Sequence, residues 1–386
     1  MAAPSPEELR REHLLDPDVA FLNHGSFGAC PRPVFERYQA WQRELESEPV
    51  DFLDRRLPDL LSAARATLAA YIGCAAQDLA FVQNATTGVN LAARSLALAP
   101  GDEVLSTDLE YGACDLAWEW VCSRAEARYV RAPIPLPVGD PSEVVDALFT
   151  RATKRTRVVY VSHVTSTTGL VLPLEEIVAR ARTLGLVMVV DGAHAPAQVP
   201  VDLAALDADY YAGNAHKWLS APKGAGFLHI QPEHQEHVDA AIVSWGYTEG
   251  NSFSERIEKQ GTRDPAAWLT VPDAIRFQAD RDWDAVRDRS RRLARDARRE
   301  LCNLLRTDPI APDSMLAQMA AVRLPDPAPD LSERLFTRHR IEIPVSGTEN
   351  DLLRISVAGY TTRDEIDRLL AALVRELDAE HRQQDE

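Results

Sequence analysis

The chain has 386 residues, of which 45% are hydrophobic and 26% are charged. Its length exceeds what one hydrophobic core usually supports, and its composition excludes disordered and collagen-like chains. The formal net charge of -17 repels polyanions at long range, which argues against nucleic acid and acidic membrane surfaces as partners.

The sequence shows no targeting signal and no cysteine pattern. Residues 1–21 lack the basic start and apolar stretch of a signal peptide, and no later segment offers the roughly 18 apolar residues of a membrane span. The cysteines are scattered without a CxxC pair, so neither a disulfide framework nor a zinc site is indicated. We therefore expect a cytoplasmic protein with reduced cysteines, no membrane span and no metal.

Between residues 60 and 230, amphipathic helical stretches alternate with short apolar runs. This pattern predicts an α/β fold with a largely parallel sheet covered by helices, which places ligands at the strand ends. The clearest predicted strands have nearly unbroken apolar character and span residues 158–162, 186–190 and 209–212. A crossover helix is predicted from Pro173 to Gly185, because proline suits a first helical turn and glycine follows a helix end.

The segment HIQPEHQEH contains three histidines with nearly ligand-like spacing, His229, His234 and His237. A zinc site needs further cysteine or acidic ligands, which no motif supplies here. The acidic surroundings favour a surface helix over a metal site.

After Pro272 the sequence changes from alternating helical and apolar stretches to one long, charge-rich stretch. Residues 280–306 predict one long helix whose arginines alternate with Asp and Glu, which indicates a solvated face rather than a nucleic-acid surface. A proline-rich connection follows at residues 325–330. The predicted units are an N-terminal arm over 1–30, a large domain over 31–271 and a smaller α+β domain over 272–386.

Lys217 follows a predicted strand end in the stretch GNAHKWLSAPKG, among small and aromatic residues. Partial desolvation beside Trp218 would lower its pKa and make the neutral, nucleophilic amine accessible. Taken alone, Lys217 would more simply be a surface lysine. Lys223 competes for the same role, but its Pro-Lys-Gly turn favours exposure.

Asp191 follows the buried run LVMVV and so projects from the carboxyl end of that strand. A carboxylate there can pair with a protonated pyridine nitrogen, and an N-cap or a metal ligand is the alternative in isolation. His194, three residues later, could bind a phenolic oxygen or be a structural histidine. Lysine and aspartate together indicate pyridine chemistry.

The stretch FVQNATTGVNLAARSL predicts a strand followed by a helix N-terminus rich in small hydroxyl residues. Backbone N–H groups of Ala85, Thr86 and Thr87 would face an anion there, with the helix dipole behind them. Ordinary N-capping by Asn84 or Thr86 is the alternative. Combined with Lys217, this site indicates pyridoxal 5′-phosphate (PLP), held as a Schiff base on the lysine.

Six motifs in order resemble the class-V aminotransferase family of fold-type I PLP enzymes, and within it the isopenicillin N epimerase-like branch. They are FLNHGSFGACP at 21–31, NATTGVN at 84–90, VVDGAHAPA at 189–197, GNAHKW at 213–218, GTRDP at 261–265 and LLRISVAGYTT at 352–362. The resemblance covers nearly the whole chain. It implies a large PLP-binding domain with a mostly parallel seven-stranded sheet, a smaller C-terminal domain and a homodimer.

The resemblance also implies a role for each matching residue around the cofactor. Lys217 would form the Schiff base, Asp191 would pair with the pyridine nitrogen and His194 would lie by the phenolic oxygen. The residues implied to hold the phosphate are Ala85, Thr86, Asn214 and His216.

Further matching positions are implied to contact the ring, the substrate or the second subunit. Tyr111 would stack on the ring where desulfurase relatives have a histidine, and Ser166 stands where they have an asparagine near the phenolic oxygen. Thr262 would reach the phosphate of the neighbouring subunit. Arg354 would bind the substrate α-carboxylate. Asn23 and His24 would contact substrate, with a structural turn built on Gly25 and Gly28 as the alternative.

The reaction begins with deprotonation of an amino-acid Cα, for which Lys217 is the natural base. Epimerisation, β-elimination of a carbon–sulfur bond and transamination all remain open, and Tyr111 could supply the second acid of an epimerase only if stacking leaves it free. Persulfide-forming desulfuration is disfavoured, because residues 332–351 contain no cysteine and Cys302 lies in a predicted helix. An inactive sensor or structural module is disfavoured by the presence of Lys217, Asp191 and Arg354 together.

Overall fold

The computed structural model describes residues 3–325, 330–346 and 352–384, and the side chains only as far as residue 377. The proline-rich connection predicted at 325–330 therefore lies mostly outside the described residues. So does the end of the cysteine-free segment 332–351.

Seven strands form the central sheet. They are β2 (Leu79–Val82), β3 (Glu103–Thr107), β4 (Arg128–Ala132), β5 (Thr156–Ser162), β6 (Val187–Gly192), β7 (Tyr210–Asn214) and β8 (Gly226–Ile230). Their order is β2-β8-β7-β6-β5-β3-β4, and only β8 runs antiparallel to its neighbours. The prediction of a mostly parallel seven-stranded sheet is confirmed.

The strands of the sheet are buried where the sequence is most continuously apolar. All residues of β7 and β8 are buried, and so are all but one in β5 and in β6. Asp191 lies inside β6, one residue before its end, where the sequence placed it just after the strand. The register pairs Asp191 with Ser162 on β5 and with Ala212 on β7, which brings three strand ends together.

Helices cover both faces of the sheet and form most of the remaining structure. In chain order they are α1 (Pro6–Glu12), α2 (His24–Phe27), α3 (Arg32–Ser47), α4 (Leu57–Ile72), α5 (Ala85–Ser95), α6 (Gly112–Arg124), α7 (Pro141–Thr150), α8 (Leu174–Thr183), α9 (Leu203–Leu206), α10 (Pro232–Gln235), α11 (Phe253–Glu258), α12 (Ala266–Leu269), α13 (Val271–Ala279), α14 (Trp283–Leu305), α15 (Leu331–His339) and α16 (Arg363–Gln384). A π-helical turn, Asp51–Arg56, precedes α4.

Helix α8 shows why the crossover was recognisable in the sequence. Leu174, Ile177 and Val178 are buried against the sheet, whereas Glu175 and Glu176 in the same first turns face solvent. This spacing is that of an amphipathic surface helix.

The long charged helix predicted after Pro272 is confirmed as α14. Within the described ranges, no helix combines the length and the apolar character that crossing a membrane requires.

Two small sheets complete the fold. The strands are β1 (Ala20–Phe21), β9 (Met319–Arg323), β10 (Ile341–Glu342), β11 (Val345–Ser346) and β12 (Leu352–Ser356). β1 pairs in parallel with β10, and β11, β12 and β9 form an antiparallel sheet. An isolated bridge joins Asn23 to Ser356, so the N-terminal segment and β12 meet beside the large sheet. The unit boundaries at residues 30 and 271 remain predictions.

The predicted surface helix around the three histidines is wrong in part. His229 lies in β8 and is buried, because the apolar run before it continues as a strand. Only Pro232–Gln235 is helical, and there His234 Nε2 lies 3.0 Å from Asp209 Oδ1.

Candidate active site

A cavity opens at the carboxyl ends of β5, β6 and β7, where α5 also begins. Strand ends and helix N-termini expose backbone groups and side chains that the sheet no longer covers, so ligands bind at this edge of α/β folds. The residues that line it are Ser26, Phe27, Asn84, Thr86, Tyr111, Ser162, Val164, Ser166, Asp191, Ala193, His194, Asn214, His216 and Lys217. The structure thus brings together most of the residues predicted for the cofactor.

Lys217 and His194 contact each other inside this cavity. The Lys217 Nζ atom lies 3.0 Å from His194 Nε2, and the Trp218 indole Nε1 lies 3.4 Å from His194 Nδ1. Burial lowers the pKa of Lys217 to about 8, although the Asp191 carboxylate acts in the opposite direction. A lysine with this pKa is neutral far more often at pH 7 than an exposed one, as a nucleophile must be.

The backbone of Lys217 is fixed by the N-terminal segment. His24 Nε2 lies 3.1 Å from the Lys217 carbonyl oxygen, and His24 Nδ1 lies 2.7 Å from the Tyr360 hydroxyl. Gly28 has φ +70°, and a Cβ there would lie 2.1 Å from the carbonyl oxygen of His216, so only glycine permits this approach.

His24 therefore has a different place from the one predicted. Its side chain is 2% exposed and does not line the cavity, because both ring nitrogens are engaged with Tyr360 and with the lysine backbone. The interpretation as a substrate contact is corrected to one as a support for Lys217.

Asp191 is buried, and among the described residues its carboxylate has only one short hydrogen bond. Its Oδ1 accepts a hydrogen bond of 2.9 Å from the Ala193 N–H, while its Oδ2 has two long contacts, 3.5 Å to the Tyr160 hydroxyl and 3.6 Å to the Cys114 thiol. Burial raises the pKa of Asp191, and the nearby Lys217 acts against that rise. A buried carboxylate with such weak partners suits a cationic N–H ligand, as a pyridinium would supply.

Glu110 is a buried acidic residue that the sequence reasoning missed. Its Oε1 accepts from the Thr107 hydroxyl at 2.6 Å, and its Oε2 accepts from the Ser162 N–H at 2.8 Å and hydroxyl at 2.6 Å. Burial raises the pKa of Glu110 to about 8, and the neighbouring Asp191 carboxylate contributes to the rise. The available signal was its position, just beyond the end of β3 and directly before Tyr111.

The N-terminus of α5 forms the predicted anion site, but not with the predicted groups. The Ala85 N–H donates to Asn214 Oδ1 at 2.8 Å, and the Thr87 N–H donates to Asn84 Oδ1 at 2.8 Å. The prediction that both N–H groups face the phosphate is therefore wrong for this arrangement. Thr86, at the second helical position, lines the cavity and its N–H has no acceptor within the helix.

Asn214 and His216 both line the cavity beside Thr86. Asn214 ties β7 to the start of α5 through Ala85, which places the two elements on one side of the anion site. His216 Nδ1 lies 3.1 Å from the Ala225 carbonyl oxygen, so that nitrogen carries the proton and Nε2 remains for a ligand. Burial lowers the pKa of His216 to about 4.

Arg354 lies on β12 and is 6% exposed. Its Nη2 donates to Asn23 Oδ1 and to Ser26 Oγ, each at 3.2 Å, and its Nη1 donates to the Ser166 carbonyl oxygen. Burial lowers the pKa of Arg354 to about 10. Within the described part of the chain, no carboxylate forms an ion pair with it. A buried guanidinium held by neutral partners is suited to an incoming carboxylate.

The remaining predicted residues fall into three places. Tyr111 is 46% exposed and lines the cavity, as does Ser166, while Asn23 is buried behind the cavity against Arg354. Thr262 is exposed and does not line the cavity of its own chain.

Fold and site together define a PLP-dependent enzyme of fold type I: a lysine with a lowered pKa, a buried carboxylate and a helix N-terminus converge at one sheet edge. When bound, PLP withdraws electrons from a substrate carbon next to its imine nitrogen. The site fits the group, because Asp191 offers the acceptor that a pyridinium needs and Thr86 offers a free N–H to a phosphate.

A family model for class-V aminotransferases matches residues 29–369, and the chain belongs to that family. It is 43% identical to isopenicillin N epimerase of Streptomyces clavuligerus over 97% of this chain and 98% of that protein. It is 42% identical to the isopenicillin N epimerase of Amycolatopsis lactamdurans over 97% and 99%. A solved complex of a cystine C–S lyase with cysteine persulfide has the same fold, with a TM-score of 0.81 at 24% identity over 92% and 97%.

These comparisons confirm the predicted family, fold class, cofactor and enzyme class. The roles of individual residues are not tested by them and stay predictions, which the geometry above refines for Ala85, Thr87 and His24.

Proposed function

We propose that the protein is an epimerase that inverts the configuration at the Cα of an amino-acid substrate. What supports this proposal is the likeness to isopenicillin N epimerases over nearly the full length of both chains. The observation in the structure that carries it is the contact between Lys217 and His194, which keeps an amine with a lowered pKa in the cavity.

Lys217 is the proposed base that removes the Cα proton. Its amine is neutral in a large fraction of molecules near pH 8, because its burial at the base of the cavity disfavours the ammonium form. Asp191 is proposed to accept a hydrogen bond from the pyridine nitrogen, where its weakly satisfied Oδ2 is available.

Arg354 is proposed to orient the substrate by its α-carboxylate. Its guanidinium is already held in one orientation by Asn23, Ser26 and the Ser166 carbonyl oxygen, so little side-chain entropy is lost when the carboxylate binds. This contact fixes which Cα substituent faces the lysine.

Tyr111 is proposed to stack on the ring and, in an epimerase, to return the proton. Its phenol lines the cavity, and within the described residues its hydroxyl makes no hydrogen bond. The Tyr111→Phe variant separates the two roles. We expect it to keep the bound cofactor and the exchange of the Cα proton with solvent, while inversion slows by roughly 100-fold, the usual contribution of a general acid.

β-Elimination of a carbon–sulfur bond is the second candidate function, since the same fold serves a cystine C–S lyase. Transamination is the third. Persulfide-forming desulfuration stays disfavoured, because among the described residues no cysteine lines the cavity. Cys114, which contacts Asp191, is buried, and burial raises the pKa of its thiol far above the usual range.

We also propose that the active unit is a homodimer in the cytoplasm. The support for a dimer is a run of neighbouring exposed apolar side chains: Ile242 is 52% exposed, Val243 75% and Trp245 82%, and a cluster of this kind is usually covered by a partner. Thr262 is proposed to reach the phosphate of the partner. Light scattering on the purified protein should give twice the mass of one chain.

The reaction type is tested by incubating the purified enzyme with a panel of L-amino acids in deuterated water. Deuterium at Cα with loss of optical purity is the expected result. Release of pyruvate would establish elimination, and conversion of the cofactor to its pyridoxamine form would establish transamination; either outcome, without inversion, overturns the epimerase proposal.

A further inference from the structure

Trp218 lies next to Lys217 in the chain and is 3% exposed. Its indole Nε1 lies 3.4 Å from His194 Nδ1, while Lys217 Nζ lies 3.0 Å from the other ring nitrogen, Nε2. Trp218 is held at its backbone and at its ring. The Gln278 side chain donates to the Trp218 carbonyl oxygen at 2.8 Å, and the His24 ring packs on the indole with 4.9 Å between centroids.

The chemistry of these three groups decides where the imidazole proton lies. An indole N–H only donates, so His194 Nδ1 must accept. In a neutral imidazole one nitrogen carries the proton and the other accepts, which leaves the proton on Nε2. That N–H then donates to Lys217, and only a neutral amine has the lone pair to accept it.

We propose that Trp218 is a positioning residue, which fixes His194 in the tautomer protonated at Nε2 and thereby holds Lys217 as a neutral amine. The inference rests on the proposed function, in which Lys217 attaches the cofactor and acts as the base. With the cofactor bound, the same Nε2–H is available as a donor to its phenolic oxygen.

The charges around the pair support a neutral imidazole. Burial lowers the pKa of His194 well below its usual value, and Lys217 and Arg354 lower it further, as do His24 and His216. Around Lys217, burial and Arg354 lower the pKa, whereas Asp191 and Cys114 act in the opposite direction. An imidazolium at position 194 is thus disfavoured from each of these directions.

The test compares the wild-type chain with Trp218→Phe, which keeps an aromatic ring and removes the donor. Nitrogen-15 NMR of the full-length, cofactor-free protein labelled at histidine reports the tautomer, with His194 assigned by its absence in His194→Gln. We expect the wild type to be protonated at Nε2 alone and Trp218→Phe to show both tautomers.

A second readout is the pH dependence of PLP attachment to Lys217, trapped with borohydride and located by mass spectrometry. With Nδ1 free to carry the proton, His194 Nε2 can accept from an ammonium, so the midpoint should rise by about one pH unit, equal to a tenfold slower attachment at pH 7. Trp41→Phe is the matched control, because the Trp41 indole N–H is buried without a partner. Its midpoint should equal that of the wild type.

A wild-type His194 protonated at Nδ1 overturns the inference, whether or not Trp218→Phe folds. An unchanged midpoint and tautomer in Trp218→Phe overturns it too. The proposed function fails separately, if borohydride traps no cofactor on Lys217 in the wild type, whereas the tautomer measurement is still informative in that case.

Discussion

The two cationic side chains of the site are held in opposite ways. Lys217 contacts a neutral histidine, and its pKa is lowered to about 8, so its proton leaves easily. Arg354 is surrounded by amide, hydroxyl and carbonyl oxygens, and it keeps its charge because even a pKa of about 10 leaves it protonated. Lys217 is therefore suited to exchange a proton, whereas Arg354, which contacts Ser26 and Ser166 in the cavity wall, is suited to hold an anion.

The difference follows from what each side chain can accept or give. An amine becomes a hydrogen-bond acceptor when it loses its proton, so a donor such as His194 can stabilise the neutral form. A guanidinium has five donors and no acceptor, and its partners here are all acceptors. The same burial thus suits Lys217 to the proposed role of a base and Arg354 to the proposed role of a carboxylate site.

Removal of Lys217 should have the largest effect on activity, because it removes the side chain that is proposed to exchange protons. In Lys217→Ala we expect turnover to fall by roughly 10,000-fold or more, since both the attachment point and the base are lost. Borohydride should then trap no cofactor. Lys223→Ala is the control, because Lys223 does not line the active-site cavity and its ammonium donates to the Gly28 carbonyl oxygen. Trapping on Lys223 in the wild type would contradict the choice of lysine.

Removal of the Arg354 charge should weaken substrate binding and leave the cofactor in place. Arg354→Met keeps the volume of the side chain, and kcat/KM should fall by at least roughly 100-fold, because two charged hydrogen bonds contribute about 1.5–3 kcal/mol each. The cofactor absorbance should not change. Arg299→Ala on the exposed face of α14 is the control. A loss of bound cofactor in Arg354→Met would assign Arg354 to the cofactor site instead.

A smaller effect is expected at the proposed phosphate site near His216, where the pH dependence of cofactor binding has a definite sign. His216 Nδ1 donates to a carbonyl oxygen, and its pKa is about 4, so at neutral pH its Nε2 has a lone pair that repels a phosphate dianion. Binding of pyridoxine 5′-phosphate, which forms no Schiff base, should therefore take up a proton. Its affinity should fall by up to about tenfold per pH unit above pH 6, near the second phosphate pKa. Calorimetry in buffers of different ionisation heat measures this proton uptake.

The control is His216→Gln, whose side-chain amide donates a hydrogen bond without titrating. It should flatten the pH profile of the affinity, and an equally steep profile in that variant would refute the role of His216.

The smallest effect is expected behind the lysine. Tyr360→Phe removes the hydroxyl that contacts His24, and we expect the free energy of unfolding to fall by about 1 kcal/mol, the usual contribution of a buried hydrogen bond. Cofactor attachment should slow only several-fold, because His24 still contacts the Lys217 carbonyl oxygen. Tyr38→Phe serves as the control, since no hydrogen bond of that hydroxyl is present in the described structure. A stability equal to that of the wild type would show that the Tyr360 contact is not formed in solution.

The positions of many site residues could be predicted from the sequence, because strand ends and helix starts have local sequence signals. The apolar runs before Asp191 and Lys217 located both residues at the same sheet edge, and the stretch after Val82 located the start of α5. Local patterns did not reveal which N–H groups stay free there. Asn214 lies far from Ala85 in the chain, and only the pairing of β7 with β8 beside α5 brings its side chain to that N–H.

The sequence by itself determined the family and the cofactor and predicted the residues that would carry the chemistry, because motifs of a few residues encode a strand end, a turn and a reactive side chain. The tertiary structure alone decided how those residues are tuned. Glu110 lies beside Asp191, and His24, which contacts Tyr360, holds the backbone of Lys217; these neighbours are distant from Asp191 and Lys217 in the chain. Trp218 is adjacent to Lys217 in the chain, but it reaches the Lys217 amine only through His194. Desolvation and hydrogen-bond direction depend on those neighbours in space, which no local sequence pattern specifies.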